Sequence, residues 1–373
     1  MSNKFVKLKD VCTFVNGRAY KQDELLDTGK YPVLRVGNFF SKSDWYYSDL
    51  ELQDDKYCED GDLLFALSAS FGPKTWDGGK VIYHYHIWKI ILSENLHREY
   101  LYYYLKNESE RIKSSGHGAT MIHVTKGGME ERDFFLPDIQ IQKKASDVLS
   151  KVERIIEYKK QQLADLDNLI KSRFVEMFGD PVSNSSDWRI ERLSDIGTLG
   201  RGVSKHRPRN APELLGGIYP LIQTGDVANA DLYITDYKLT YSDLGLSQSK
   251  MWEKGTLCIT IAANIAKTSI LNFDSCFPDS VVGFIPNMNT NNIFMHYWFS
   301  FFQQLLESQA PESAQKNINL QILSELKVIV PPINIQNQFA NFVQATDKLK
   351  VEVQKSLDKT QVLFDSLMQQ YFE

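Results

Sequence analysis

The chain has 373 residues but only four cysteines, Cys12, Cys58, Cys258 and Cys276, and no two of them form a CxxC pair. Cysteines so few and scattered exclude a zinc ribbon or a disulfide framework, and they read as small core hydrophobes. No apolar run approaches the roughly 18 residues that a membrane span needs, and the start MSNKFVKLKDV lacks the apolar stretch of a signal peptide. A soluble, cytoplasmic protein is therefore expected. No Walker A string follows any glycine, and GRGVSK from Gly200 lacks the last glycine of GxGxxG. The single Pro-Pro pair, Pro331-Pro332, lies between Val330 and Ile333 and reads as a helix entry, without the Asn-Pro-Pro-aromatic pattern of an adenine methyltransferase. His84 and His86 could share a strand face, but YHYHIWK has no nearby carboxylate or cysteine to complete a metal site. They read as a satisfied surface or core pair. Pro278, Asp279, Glu325 and Lys327 contain the pieces of a nuclease motif, but these are short, common and widely spaced. No catalytic residue, metal or cofactor is expected in this chain.

A net basic charge is also lacking: 47 acidic residues stand against 42 basic ones, for a net charge of −5. The distribution says more than the sum. RGVSKHRPRN, residues 201–210, has Arg201, Lys205, Arg207 and Arg209 and no carboxylate, and residues 111–129 are also free of carboxylates. Acidic residues concentrate at 44–62, 146–180 and 347–373. Basic loops on an acidic body suit local phosphate contact.

What is present is a chain written twice. LPDIQIQ at 136–142 returns as VPPINIQ at 330–336, and each opens a long helix-like run. Leu8, Asp10, Val11, Thr13 and Gly17 recur as Leu193, Asp195, Ile196, Thr198 and Gly202, a shift of 185. YPVLRVGN from Tyr31 recurs as YPLIQTGD from Tyr219, shifted by 188, and from Gly61 and Gly255 onward the shift stays at 194. The second copy has gained residues early in the unit and none later. This period is far longer than that of a solenoid, so the units are duplicated domains. With 43% hydrophobic and 12% aromatic residues, each globular part of roughly 140–150 residues can bury its own core. Short β-rich runs punctuated by glycine and asparagine, with one aromatic helical patch each (100–105 and 294–302), predict a mixed α/β fold built around a sheet.

Steps of four and three from Val152 give Val152, Ile156, Lys159, Leu163, Leu166, Ile170, Arg173 and Met177. Adding 194 gives Thr346, Lys350, Val353, Leu357, Thr360, Phe364, Leu367 and Tyr371, a matching heptad seam. Residues 143–178 contain no glycine or proline and would span about 54 Å as a helix. The first helix should stop at Gly179-Asp180-Pro181. If the copies are symmetric, the second runs back along it as an antiparallel spacer. Helices that merely dock on their own domains are the plainer alternative. The expected organisation is a globular domain at 1–142, a helix at 143–180, a second domain at 181–335 and a second helix at 336–373.

Two PxIxxQ segments at one offset, each with a heptad helix behind it, and LDNLIKSRFVEMFGDP after the first, resemble the specificity subunits of Type I restriction-modification systems. The resemblance covers essentially the whole chain. It implies two pseudo-symmetric target recognition domains joined by two long antiparallel conserved helices. Each domain then reads one half of a split, asymmetric site in double-stranded DNA, and the helices set the distance between halves. It also implies two modification subunits using S-adenosylmethionine and two ATP-dependent restriction subunits as partners, with this chain itself non-catalytic. A fused DNA-modifying enzyme and a coiled-coil interaction protein without a DNA role are the alternatives. Methyl transfer by this chain alone would favour the first, and absence of salt-dependent duplex binding by the complex would favour the second.

DNA contacts are expected from loops that donate to phosphates or base edges. In the first domain these supply Arg18, Tyr20, Lys21, Arg35, Asn38 and Lys74, then His117, Thr120, His123 and Lys126. Trp76, in the same loop as Lys74, is expected to pack. The second domain supplies Arg201, Lys205, His206, Arg207, Arg209, Gln223, Asn264, Lys267, Gln315, Lys316, Asn317 and Asn319. The loop 201–209 is the foremost of these, and Arg207 and Arg209 are expected to bind phosphate. Position 123 shifted by 194 lands on Asn317, so the two loops match in place and differ in chemistry.

Overall fold

A computed structural model describes residues 4–40, 44–67, 71–115, 124–181, 183–262, 265–309 and 318–372. The chain forms two compact units, one of residues 1–160 with 355–373 and the other of residues 161–354. Each takes a stretch of both long helices.

The first unit contains a sheet in which strand Cys12–Asn16 neighbours Ile87–Leu92, then Leu63–Ala66, then Gly72–Thr75. The second unit repeats this order with Gly197–Arg201, Val281–Pro286, Leu257–Thr260 and Thr268–Leu271, and adds Tyr233–Ile234 at the edge. That extra strand lies where the second copy has gained residues. A second sheet runs Tyr46–Ser48, Tyr31–Leu34, Val81–Tyr83, Tyr57–Cys58 in the first unit. Its counterpart runs Leu239–Tyr241, Leu215–Leu221, Ser275–Cys276, Met251–Trp252.

The strand LLFA (Leu63–Ala66) is buried on both faces, which explains why it reads as a continuous apolar run. Successive side chains point to opposite faces of a strand. Leu63 and Phe65 accordingly join one core with Tyr100, Leu101 and Phe134, while Leu64 and Ala66 join another with Cys58, Val81 and Tyr83. LCIT (Leu257–Thr260) divides its side chains in the same way: Leu257 and Ile259 face one core, and Cys258 packs with Trp252, Phe277 and Val281 in the other. All four cysteines are free and buried.

The PxIxxQ repeat acquires a physical meaning here. Gln142 and Gln336 are both fully buried. Gln142 Nε2 donates to the carbonyls of Asn95 (3.0 Å) and Pro137 (2.9 Å), while its Oε1 accepts from His97 N at 2.8 Å. Gln336 repeats the set with Asn289 (3.1 Å), Pro331 (2.7 Å) and Asn291 N (2.9 Å). Each glutamine thus satisfies three backbone groups and ties the start of a long helix to the segment entering the aromatic helix, Arg98–Ser115 or Asn292–Gln309.

The long helices span Ile139–Phe178 and Ile333–Phe372. Both begin a few residues ahead of positions 143 and 336, because the isoleucine and glutamine of the motif form the first turn. The first ends at Gly179, whose φ of 74° is costly for residues with a side chain, and whose N donates to Val175 O at 2.8 Å. In both helices every seam position named above is buried or half-buried. In the first unit Ala145, near the start of the central helix, lies in the core against which Tyr371 and Phe372, at the end of the C-terminal helix, pack. In the second unit Phe174 and Phe178 meet Phe339 at 5.3 and 5.5 Å. Opposite ends of the two helices therefore share each core, as an antiparallel pair requires. A polar seam position is also paired: Lys350 Nζ contacts Asp167 at 2.7 Å and Asp231 at 3.8 Å.

Candidate nucleic-acid interface

In each unit three distant segments meet at one edge. The opening-loop glycines lie so close to a following turn that neither could bear a side chain. A Cβ on Gly17 would stand 2.3 Å from Tyr83 O, and one on Gly202 would stand 2.2 Å from Pro278 O. The turn is His84-Tyr85-His86 in the first unit and Pro278-Asp279-Ser280 in the second, related by the 194 shift. The third segment precedes a short helix, Val36–Phe40 or Thr224–Asn229. His84 N donates to Leu34 O, and Ile222 N to Cys276 O, both at 2.9 Å. Arg35 and Gln223 occupy the same place before this helix. Their backbone N–H groups are capped by Asn38 Oδ1 (3.4 Å) and Asp226 Oδ2 (2.8 Å).

The side chains at this edge differ between the units. In the first, Arg18 forks onto Glu24 through bonds of 2.9 and 2.7 Å, which holds the Glu24 carboxyl down at about 2. Lys21 is exposed, and its N–H donates to the same carboxylate. Tyr20 is half-buried and stacks on His84 at 6.4 Å, while His84 lies 5.1 Å from His86 and 4.3 Å from the exposed Tyr85. Burial, then the neighbouring His86 and Arg35, push the His84 imidazole down to about 4. Arg35 lies 4.2 Å from the Tyr46 ring centre and donates to Asp44 O. Asn38 is buried, donating to Asp44 O at 3.0 Å. Lys74 donates to Phe39 O at 3.2 Å. Trp76 is 4% exposed, with Nε1 donating to Gly79 O, and it packs as expected. Lys126 opens the helix Lys126–Glu130 and pairs with Glu130 at 3.6 Å.

In the second unit the basic loop wraps the turn. Arg201 Nε donates to Asp279 O at 2.6 Å, Arg209 pairs with the Asp279 carboxylate at 2.5 Å, and Arg207 lies 3.9 Å from it. Arg207 also donates to the carbonyls of Ser204 and His206 at 2.6 and 2.8 Å. The backbone N–H groups of Lys205 and His206 both donate to Gln248 Oε1, so one side chain braces the loop. His206 Nε2 stands 4.0 Å from Glu213. Thr224 and Ser280 share a hydroxyl contact of 2.9 Å. Gln223 and Lys267 are exposed. Asn319 caps the helix Leu320–Glu325 by accepting from Ile322 N at 2.9 Å.

His117, Thr120, His123, Asn264, Gln315, Lys316 and Asn317 lie outside the described residues. The structure brings together Arg18, Tyr20 and Arg35 in one unit, with Lys74 and Asn38 around the short helix, and Arg201, Arg207 and Arg209 in the other. It adds His84, Tyr85, His86, Asp279, Thr224 and Ser280, which sequence reasoning set aside or did not consider. The signal for the turn residues was the 194 shift, which aligns the two turns although they share no residue type. Asp279 serves arginines, whereas Glu325 accepts from Gln321 at 3.4 Å. Among the described residues no cluster of three or more metal-ligating side chains occurs, and no helix is long and apolar enough to cross a membrane.

The family model described as the Type I restriction modification DNA specificity domain matches the chain twice, over residues 2–168 and 185–361. The chain is 19% identical to the Type I restriction enzyme EcoBI specificity subunit of Escherichia coli, over 98% of this chain and 85% of that one. It is 23% identical to the putative type I restriction enzyme MjaX specificity subunit of Methanocaldococcus jannaschii, over 95% and 89%. Among solved structures, the S subunit of the Type-I restriction-modification system from M. genitalium superposes with a TM-score of 0.61 at 16% identity, covering 100% of this chain and 96% of that one. A second, from work on complex assembly and conformational transition of the type I R-M system, gives 0.63 at 16% identity, covering 99% and 97%.

Proposed function

The chain belongs to the Type I restriction-modification DNA specificity family, and from that premise we propose how its two units divide the reading of DNA. It is a specificity subunit, and its business is recognition of a DNA sequence. Each unit reads one half of a bipartite, asymmetric site in duplex DNA, through the edge where opening loop, turn and short helix meet. The observation that carries this reading is the equivalence of the two edges in backbone and their difference in side chains. Two readers of one kind, built to recognise different sequences, need that combination. The residues in contact are Arg18, Tyr20, Lys21, Arg35 and Lys74 with His84 to His86 in the first unit. In the second they are Arg201, Lys205, His206, Arg207, Arg209 and Gln223. Lys126, Lys267 and the seven residues outside the described set are further DNA contacts on this reading, whereas the buried Asn38 and the helix-capping Asn319 hold backbone.

The long helices set the gap between half-sites and hold the partner subunits. Ile155 and Leu363 are 44% and 50% exposed in the first unit, and Leu349 and Leu169 are 58% and 49% exposed in the second. The 194 shift relates Ile155 to Leu349 and Leu169 to Leu363. Each unit therefore presents the same pair of apolar residues, one from each helix, which suits two copies of one partner. These are two modification subunits carrying the S-adenosylmethionine chemistry, joined by two ATP-dependent restriction subunits, in the cytoplasm. This chain binds neither cofactor and performs no catalytic step.

Methylation sequencing of the host genome with and without the gene tests the proposal. A methylated motif of two defined halves around an unspecified gap should vanish with the gene. A motif that persists, or one with a single continuous core, would refute it.

A further inference from the structure

The arginines of the second unit's opening loop are not equivalent. Phosphate affinity comes from uncompensated positive charge and the counterions it displaces. Lys205 is exposed and has no ion-pair partner among the described residues. Arg209 instead carries a carboxylate at 2.5 Å, so its net charge is largely cancelled, and the same carboxylate repels a phosphate brought near it. Yet Arg209 remains 45% exposed at the side chain, Asp279 remains 31% exposed, and the other guanidinium donors of Arg209 have no partner among the described residues. An arginine so held is poorly suited to phosphate and well suited to a base edge. Guanine offers O6 and N7 side by side in the major groove, and a guanidinium meets both only when its plane is fixed. The Asp279 carboxylate restrains Arg209 through a charge contact at one nitrogen, and it does so from a turn that is itself fixed, because Arg201 Nε donates to the Asp279 carbonyl at 2.6 Å and Val281 N donates to Pro278 O at 3.0 Å.

The first unit lacks the device. The position equivalent to Asp279 is Tyr85, and the fork of Arg18 is engaged on both nitrogens by Glu24. We propose that Arg209, oriented by Asp279, reads a guanine in the half-site of the second unit, and that Lys205 supplies the neighbouring phosphate contact. The assignment rests on the proposed DNA edge and names a specificity-determining pair within it.

The test uses the assembled methyltransferase complex on its methylation-mapped duplex, with each guanine of the second half-site replaced in turn by 7-deazaguanine, which lacks the N7 acceptor. Wild type should lose about tenfold in affinity at one guanine. Arg209→Ala and the charge-conserving Arg209→Lys should lose a similar factor on the unmodified duplex and become indifferent to that replacement, with the salt slope unchanged. Asp279→Asn should weaken discrimination at that position and steepen the salt slope. Lys205→Ala should lower the slope by about one unit without altering base preference. The assignment falls if Arg209→Ala lowers the slope while its sensitivity to 7-deazaguanine stays that of wild type, or if the second half-site contains no guanine. A wild-type complex that binds duplexes without regard to sequence would overturn the proposed edge itself, and this assignment with it.

Discussion

Comparing the two proposed recognition edges separates what duplication preserved from what it released. Both units keep the glycine that lets the opening loop touch the turn, the cap on the short helix, and the buried glutamine at the head of the long helix. Those groups satisfy backbone atoms, and any change leaves a clash or an unpaired buried polar group. The side chains of the turn carry little of that duty, the one backbone bond among them in the described residues being His86 N to His84 Nδ1 at 3.5 Å. The turn carries two histidines and a tyrosine in one unit, and proline, aspartate and serine ringed by arginines in the other. A scaffold that is constrained everywhere except at its rim is what allows two copies to diverge in what they read.

Exchange of residues 1–140 for the matching part of a relative should break this comparison most visibly. We expect one half of the recognised sequence to be replaced and the other left intact, with the old half-site losing roughly a thousandfold in preference. Methylation mapping decides it, and a swap that altered both halves with folding intact would mean that recognition is shared between the units.

The spacer comes next. Inserting four residues after both Leu163 and Leu357, equivalent seam positions, lengthens each helix by about 6 Å. A heptad seam absorbs such a stutter by local unwinding. We expect both half-sites to be kept and the unspecified gap to grow by roughly one to two base pairs, since one pair rises about 3.4 Å. An unchanged gap with full activity would return the helices to a role in domain packing alone.

The two glutamines sharpen the comparison at the level of stability. Gln142→Leu and Gln336→Leu each strand three buried backbone groups, and each should cost about 3 kcal/mol in chemical denaturation. Near-equal losses would support equivalence of the two helix anchors, and a difference above about 2 kcal/mol would contradict it.

The smallest effect concerns protons. The folded His84 takes up its proton only near pH 4, whereas an unfolded histidine does so near 6.5. The folded pKa is the lower one, so the fold loses stability as pH falls through that window. His296 of the second unit, also pushed down to about 4 by burial, adds to the same trend. DNA binding should act in the opposite sense in the first unit. A phosphate at the proposed edge beside His84 favours its charged form, so affinity for that half-site should rise a few-fold as pH falls from about 6 toward 4. Titration by fluorescence anisotropy across that range checks this. A rise that persists in His84→Gln would assign the effect to other groups.

The duplication, the mixed α/β class and the paired helices were legible in the sequence because they rest on spacing. A constant offset of 194 survives wholesale divergence of residue type, and a heptad seam survives lysine, arginine and threonine at single positions. Even Trp76 could be assigned to packing from its size alone. The edge that proposes itself for DNA was legible only in part. Arg201, Arg207 and Arg209 stood out as a run without carboxylates, yet their partner Asp279 lies some seventy residues onward. His84 and His86 looked like an incomplete metal site until the sheet set them beside Tyr20 and Arg35. By itself the sequence determined that there are two like units and two like helices, because local periodicity and repeat spacing encode them directly. Which side chains share an edge, and which arginines keep their charge free, was decided by tertiary structure alone. Those facts depend on strand pairing that brings together segments distant in the chain, and on distances of a few ångströms that no spacing along the chain records.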